Sequence, residues 1–593
     1  MANLIRTPSL LQEEKGTLKE VFMPLCNKIM ICLLLICVFS PYGRASVPLP
    51  NSPDWQSGSS ENTQSIALGD MNNDGFLDLA VATVSGPALV YKNANGTLQS
   101  TPFWHSTGSL AALSITWVDI DRDGDMDLAV GHIVSTSVPG PIKLYKNYCR
   151  ESGGVNLLDT IPMWTSAQSE FRFWLGFADI NGDNNVDLVA TSMGTAMGGR
   201  NEVYYGTGTT LPTSPSWEDS TSSAYEHYNI NGSLGDANGD GRLDLAVANS
   251  ANDYAATAYI YMNNGSGLEY RPSWSTDDYN SGFSAVMARI DKDNRLDLLV
   301  GGSLATGYWW VHLDSAGLLQ KGNSQSISAS ADWPWNGSFG DVDTNGYLDF
   351  AGANADQGVL GVQVLTNNNG VLTQEWSQTF SGEVYVAAWG DINKDGVVSA
   401  IDTLTGDGLK RLFYLKHYPA QSVDSVKAFF TYPAYEMLIY DPTNGWLWWT
   451  ASTPIPNGTK VYVYYQYSKR LDLVVGVMNA PLLVYLNTFP PVPIEETETQ
   501  KCQAPKLTIR PCVTSKSVTA VCYLPNSCLV KLDVYNIAGE KVKELVNGQH
   551  NGGANAIIWD LTDGLGRSVP SGAYFIHGMI DGTECSAKMT VIK

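Results

Sequence analysis

The sequence predicts an all-β chain, and three observations carry that expectation. A loop-and-strand pattern returns about every fifty residues; Gly, Tyr and Trp are plentiful while only 16% of residues are charged; and beyond residue 505 the pattern changes to alternating strands and glycine turns.

The repeat is first met in DMNNDGFLDLAVA, Asp70 to Ala82. It returns as DIDRDGDMDLAVG from Asp119, DINGDNNVDLVAT from Asp179 and DANGDGRLDLAVA from Asp236. Weaker copies begin at Arg289, Asp341 and Asp391, so successive first positions are 49, 60, 57, 53, 52 and 50 residues apart. Around each copy the same grammar holds: SIALGD before the loop, LDLAVAT after it, then ALVYKN, an Asn-Gly turn and a short final strand. Four short antiparallel strands repeated radially make a β-propeller blade.

The outermost strand carries a second register. Trp55, Trp104, Trp164, Trp274 and Trp376 each stand fifteen residues before a loop's first position, and Trp217 is displaced by four. A residue held in that register is expected to pack one blade on the next.

Near the end of the array, LDLVVGVMNAPLLVYLN from Leu471 matches LDLAVATVSGPALVYKN from Leu77 at nine of seventeen positions. Counted as an eighth unit, it predicts eight four-stranded blades. Seven is the alternative if an extra β module at about 419–459 replaces a blade's outer strands. The orphan SPDWQSG strand at the start is expected to complete the last blade and remove the open edges.

Within each loop, side-chain oxygens at positions one, three, five and nine converge with the carbonyl at seven, because a glycine at six lets the backbone turn. Hard oxygen donors at that count suit Ca²⁺. The expected ligands are Asp70, Asn72, Asp74, Phe76 and Asp78; Asp119, Asp121, Asp123, Asp125 and Asp127; Asp179, Asn181, Asp183, Asn185 and Asp187. To these are added Asp236, Asn238, Asp240, Arg242 and Asp244, and Asp341, Asp343, Asn345, Tyr347 and Asp349, with the seventh position in each set acting through its backbone carbonyl. About four to six ions are expected. An EF-hand is excluded, since Val81, Val130 and Val247 occupy its twelfth position inside a strand.

Three loops depart from the pattern. Asn184 stands where glycine is expected and tolerates the same left-handed backbone. Arg289 takes the first position of the fifth loop and is expected to replace the ion by pairing with Asp291, Asp293 and Asp297. The seventh loop keeps Asp391, Asn393 and Asp395 but has Ser399 at the ninth place, which predicts weak binding or none.

These loops make the array, about Ser46 to Asn487, resemble the FG-GAP/VCBS calcium-loop propellers, the repeat type of integrin α-chain heads. After a proline- and acid-rich linker at 491–505, the segment 506–593 reads as a small Ig-like β-sandwich. Its VYNIAGEKV and WDLTDGLGRSVPSGAY resemble the FlgD-like Ig-type domain and the related C-terminal sorting domains of type IX secretion substrates. That resemblance implies export and handling by a secretion or surface-anchoring machinery.

Residues 1–45 read as a signal-peptide region. Lys28 precedes an eleven-residue apolar run, Ile29 to Phe39, and Gly43 and Ala45 sit at the small positions of a cleavage site. The run is too short to span a bilayer, so no transmembrane segment is expected in the mature chain. The stretch ahead of Lys28 is long for such a signal, and Met23 is an alternative start. Five cysteines crowd into the last hundred residues, where disulfides fit an oxidising compartment, whereas Cys149 reads as a small filler.

With 59 acidic and 36 basic side chains, the net charge of -23 argues against a nucleic-acid partner. No H-E-x-x-H, G-x-S-x-G or C-x-x-C stands in the chain. The expected function is therefore a secreted or bacterial cell-surface binding or adhesion module for an extracellular protein or glycan. One rival is a carbohydrate-active enzyme, since some polysaccharide lyases resemble this architecture and use a central cleft; another is a structural matrix component. The aromatic clusters at Trp309 and Trp310, Trp333 and Trp335, and Trp446, Trp448 and Trp449 would serve sugar stacking, but core and hairpin packing is the expectation.

Overall fold

The computed structural model describes residues 47–489 and 506–592 apart from short internal stretches, the longest of them 194–198, 221–227 and 251–255. The expected signal region, the linker, Cys502 and Cys512 lie outside the described residues. The chain divides into two compact units between Pro491 and Val492. Among the described residues no helix is long and apolar enough to cross a membrane.

Among the described residues the first unit is built on a ring of seven four-stranded antiparallel sheets. Their inner strands are Glu61–Gly69, Ala111–Val118, Arg172–Ala178, Asn229–Gly235, Ser281–Ala288, Pro334–Gly340 and Val384–Gly390. Each touches the next, and the seventh touches the first, so the ring closes. Every second strand begins on an aspartate, as in Asp78–Thr83, Asp187–Ser192 and Asp244–Asn249, and in these three all residues are buried. Sandwiching between neighbouring blades explains why these strands read as continuous apolar runs rather than alternating ones.

The expectation of eight blades is corrected to seven, the alternative weighed from sequence. The Leu471 segment is not a separate unit: its strand Asp472–Ala480 pairs with Val384–Gly390, and Leu483–Tyr485 follows as the third strand of that same blade. Trp55–Gln56 pairs with Leu483–Tyr485 and supplies the fourth, as anticipated. Blade seven is thus built from three distant pieces of chain, which couples both ends of the array.

Between its first and second strands blade seven carries the inserted module. The inserted strands begin at Val397 and end at Ser468, wider than the 419–459 read from sequence. They form a four-stranded and a three-stranded sheet around Leu404, Val426, Leu447, Val463 and Tyr465.

The outer tryptophans pack blade on blade, as expected. Trp55 meets Tyr91, Trp104 meets Tyr145, Trp164 meets Tyr204, Trp217 meets Tyr261, Trp274 meets His312 and Trp376 meets Tyr485, all edge-to-face at centroid distances of 5.1–6.1 Å. In each pair the second ring belongs to the third strand of the following blade.

Among the described residues the second unit has a three-stranded and a five-stranded sheet around Val530, Leu532, Trp559, Ile576 and Ile580. Two sheets facing one core make a small sandwich.

Candidate metal centre

All seven loops between first and second strands lie at one end of the ring, and backbone amides orient their acids. In the first loop Asp70 Oδ1 accepts the Asp74 N–H at 3.1 Å and Oδ2 the Gly75 N–H at 2.7 Å. Asn72 Oδ1 accepts the Asp74 N–H at 3.1 Å, and Asp74 Oδ1 the Phe76 N–H at 2.9 Å. These contacts need left-handed backbone at Asn73 (φ 56°) and Gly75 (φ 85°). In the third loop Asn184 stands in for the glycine at φ 69°, and its N–H reaches Asp179 Oδ2 at 2.8 Å.

The ninth residue ties loop to sheet. Asp78 Oδ2 accepts the Met71 N–H at 2.9 Å while Oδ1 accepts the Asn93 N–H at 2.7 Å. Asp127, Asp187, Asp244, Asp297 and Asp349 repeat both contacts in their own blades.

Sequence reading passed over the asparagine that ends the third strand. Asn147 Nδ2 donates to Met126 O at 3.0 Å in its own loop and to Met71 O at 2.7 Å in the preceding one. Asn93, Asn263 and Asn367 make the same bridge, so each of these loops is fixed to its neighbour. The trace was visible as the Asn closing ALVYKN and IKLYKN.

Two of the loops bring three of their own carboxylates close together, and several leave a carboxylate oxygen without a partner. Asp119, Asp121 and Asp127 each offer an oxygen within 4.8 Å of the others, and so do Asp341, Asp343 and Asp349. Asp121 Oδ1, Asp236 Oδ1 and Asp341 Oδ1 are buried without a hydrogen-bond partner. Burial pushes Asp78 and Asp187 up to about 7 and Asp244 to about 8. Burial with the adjacent Asp123 raises Asp119 to about 7, and burial with Asp343 raises Asp349 to about 8. Clustered acids with orphaned oxygens, whose charge the site itself disfavours, fit a divalent cation.

Basic side chains flank some loops. The Lys146 ammonium pairs with Asp121 and, at 2.7 Å, with Asp123. Arg242 pairs with Asp240 and donates to Asn263 O at 2.7 Å. The expected partners of Arg289 are corrected: its guanidinium lies 4.8 Å from the Tyr414 ring and donates to Leu415 O at 3.3 Å, both in the inserted module. Arg295 makes the local pairs instead, at 3.2 Å to Asp293 and 2.6 Å to Asp314.

The inserted module lies across this end of the ring. Tyr414 Oη accepts the Asp236 N–H at 2.9 Å and Tyr418 Oη the Arg289 N–H at 3.2 Å. Arg122 donates to Tyr435 O and Glu436 O at 3.1 and 2.9 Å, and Gln421 to Gly75 O at 3.4 Å. At the other end the Trp335 ring meets Phe173, Phe283 and Tyr385 at 6.1, 5.4 and 4.8 Å, four rings from four blades. Trp309, Trp310, Trp446, Trp448 and Trp449 are buried, whereas Trp333 is 45% exposed.

The loop pattern also matches a known repeat. The model of the FG-GAP-like repeat fits residues 70–130, 179–247 and 236–300. The chain carries FG-GAP-like repeats. No curated protein is significantly similar to it. Crystal structures of BBS1N in complex with ARL6DN, soaked with mercury or lead, are similar to this chain at 10% identity. The mercury-soaked one covers 75% of this chain and 98% of that one at a TM-score of 0.41; the lead-soaked one covers 74% and 97% at 0.40. Two loops beyond the matched stretches, from Asp341 and Asp391, share the hydrogen-bond frame just described.

Proposed function

We propose that this FG-GAP-repeat propeller is a secreted or cell-surface binding module, stapled by calcium, for an extracellular protein or glycan. The observation that carries the reading is the set of buried carboxylates in register at one end of the ring, with unpartnered oxygens at Asp121, Asp236 and Asp341. Calcium, when bound, supplies the positive charge that these acids lack. Asp70, Asn72, Asp74 and Asp78, their counterparts in the second, third, fourth and sixth loops, and the carbonyls of Phe76, Asp125, Asn185, Arg242 and Tyr347 are the residues to hold it. Each occupied site stabilises the ring by about 2.7 kcal/mol when free ion is 100-fold above its Kd.

Binding, rather than catalysis in a central cleft, is favoured by the ring's two ends. The inserted module crosses one, and at the other the Trp335 ring gathers Phe173, Phe283 and Tyr385. Recognition then falls to outer surfaces and connecting loops. Secretion and surface handling rest on the signal-like N-terminus and on the likeness of the second unit's sequence to FlgD-like sorting domains.

The test is calorimetry of the full chain in millimolar calcium and in excess EGTA. A substantially lower melting temperature in EGTA is expected, and an unchanged one rejects the staple. A glycan array with a depolymerisation screen on acidic polysaccharides separates binder from enzyme: bound glycan without cleavage is expected, and cleavage rejects the reading.

A further inference from the structure

The seventh loop looks broken in sequence because its ninth residue by count, Ser399, is an exposed position within the first inserted strand. In space the ninth place belongs to Asp472. Its Oδ2 accepts the Ile392 N–H at 2.8 Å and its Oδ1 the Asn487 N–H at 2.8 Å. Asp78 makes the same pair of contacts with Met71 and Asn93. The chain leaves the loop after Gly396, makes the whole inserted module and rejoins the loop at Arg470.

Asp391 fills the first place. It is fully buried, and its Oδ2 accepts the Gly396 N–H at 2.9 Å and the Ser468 hydroxyl at 2.7 Å. Its Oδ1 has no partner. A fully buried carboxylate with one bare oxygen calls for a cation. Asn393 Oδ1 is oriented as in the unbroken loops, accepting the Asp395 N–H at 3.1 Å.

Arg470 stands at position seven, as Arg242 does in the fourth loop. Its guanidinium pairs with Asp395 and donates to Asn487 O at 2.6 Å. Arg242 does the same in the fourth loop, pairing with Asp240 and donating to Asn263 O. The seventh loop is therefore the fourth loop cut open between its sixth and seventh residues.

We infer that Asp391, Asn393, Asp395 and Asp472, with the Arg470 carbonyl, form a further divalent-cation site assembled from two distant segments, and that the ion clamps both stems of the inserted module to the ring. The inference rests on the calcium reading of the unbroken loops. Three carboxylates and one guanidinium leave the site with two negative charges, which a divalent ion balances. Because Asp391–Asp395 leads into the module and Asp472 leads out of it, the ion fastens the base of the structure that crosses the end of the ring.

The experiment counts bound calcium per full-length chain by equilibrium dialysis, for the wild type, Asp472→Asn, Asp395→Ala and Ser399→Ala. Loss of one ion is expected for Asp472→Asn and Asp395→Ala, with Ser399→Ala keeping the wild-type count. Asp395→Ala removes an exposed side chain whose bonds, among the described residues, go to Asn393 and Arg470, so it keeps the test usable should Asp472→Asn not fold. A count unchanged in Asp395→Ala, while the wild type binds calcium, overturns the split site alone. A wild type that binds no calcium overturns the calcium reading together with it.

Discussion

Asp472 and Ile392 are eighty residues apart, yet the aspartate's Oδ2 accepts the isoleucine's N–H at 2.8 Å and closes blade seven around its insertion. Asp472→Ala leaves that N–H and the Asn487 N–H without an acceptor in a buried place. We expect a loss of about 2–4 kcal/mol, from the cost of unsatisfied buried donors. Urea denaturation in EGTA checks it, and Asp78→Ala in blade one is expected to cost a similar amount.

The loop acids give a pH signature without calcium. Folded values of about 7 for Asp78, Asp119 and Asp187, and about 8 for Asp244, Asp349 and Asp472, lie above the ordinary carboxylate range mainly because of burial. The native state then binds more protons than the unfolded chain, so stability falls as pH rises from about 4 through about 8. In EGTA the melting temperature is expected to be higher at pH 5.5 than at pH 8. Saturating calcium, which favours the ionised form, is expected to flatten or reverse that slope.

Lys146 supplies a cation to the second loop, pairing with Asp121 and Asp123. Lys146→Met removes that charge and leaves the acids to repel one another. We expect a lower melting temperature in EGTA and calcium affinity at this loop about tenfold tighter, about 1.4 kcal/mol. Calcium titrations of the two proteins measure the difference; equal or weaker affinity in the variant contradicts it.

Trp164 and Trp333 separate packing from surface. Trp164 is 5% exposed and meets Tyr204 edge-to-face at 5.5 Å, so Trp164→Ala is expected to cost about 3–5 kcal/mol. Trp333 is 45% exposed, and Trp333→Ala is expected to stay within about 0.5 kcal/mol. Denaturant midpoints of the two variants report both.

The repeat made the blades legible, because each metal-type loop is fixed by nearest neighbours in the chain: a side chain at one position accepts N–H groups two to five residues on. That local rule located Asp70, Asp119, Asp179, Asp236 and Asp341, and the left-handed turn at Asn184. The tryptophan register was legible for the same reason, since one outer-strand site recurs in every unit that keeps it.

Residue counting failed where the relation is not local. Ser399 took the ninth place by spacing, whereas backbone pairing gave that place to Asp472 on the far side of the insertion, and with it turned eight units into seven blades. Arg289 was assigned to its own loop's acids, but the inserted module offers the Tyr414 ring and the Leu415 carbonyl instead. By itself, the sequence determined an all-β repeat array, the places of its acid-rich loops and a distinct C-terminal segment, because strand pattern and loop hydrogen bonds repeat within short windows. Only the tertiary structure decided the number of blades, the Asn bridges between neighbouring loops and the module lying across the ring, because these depend on which distant strands share hydrogen bonds.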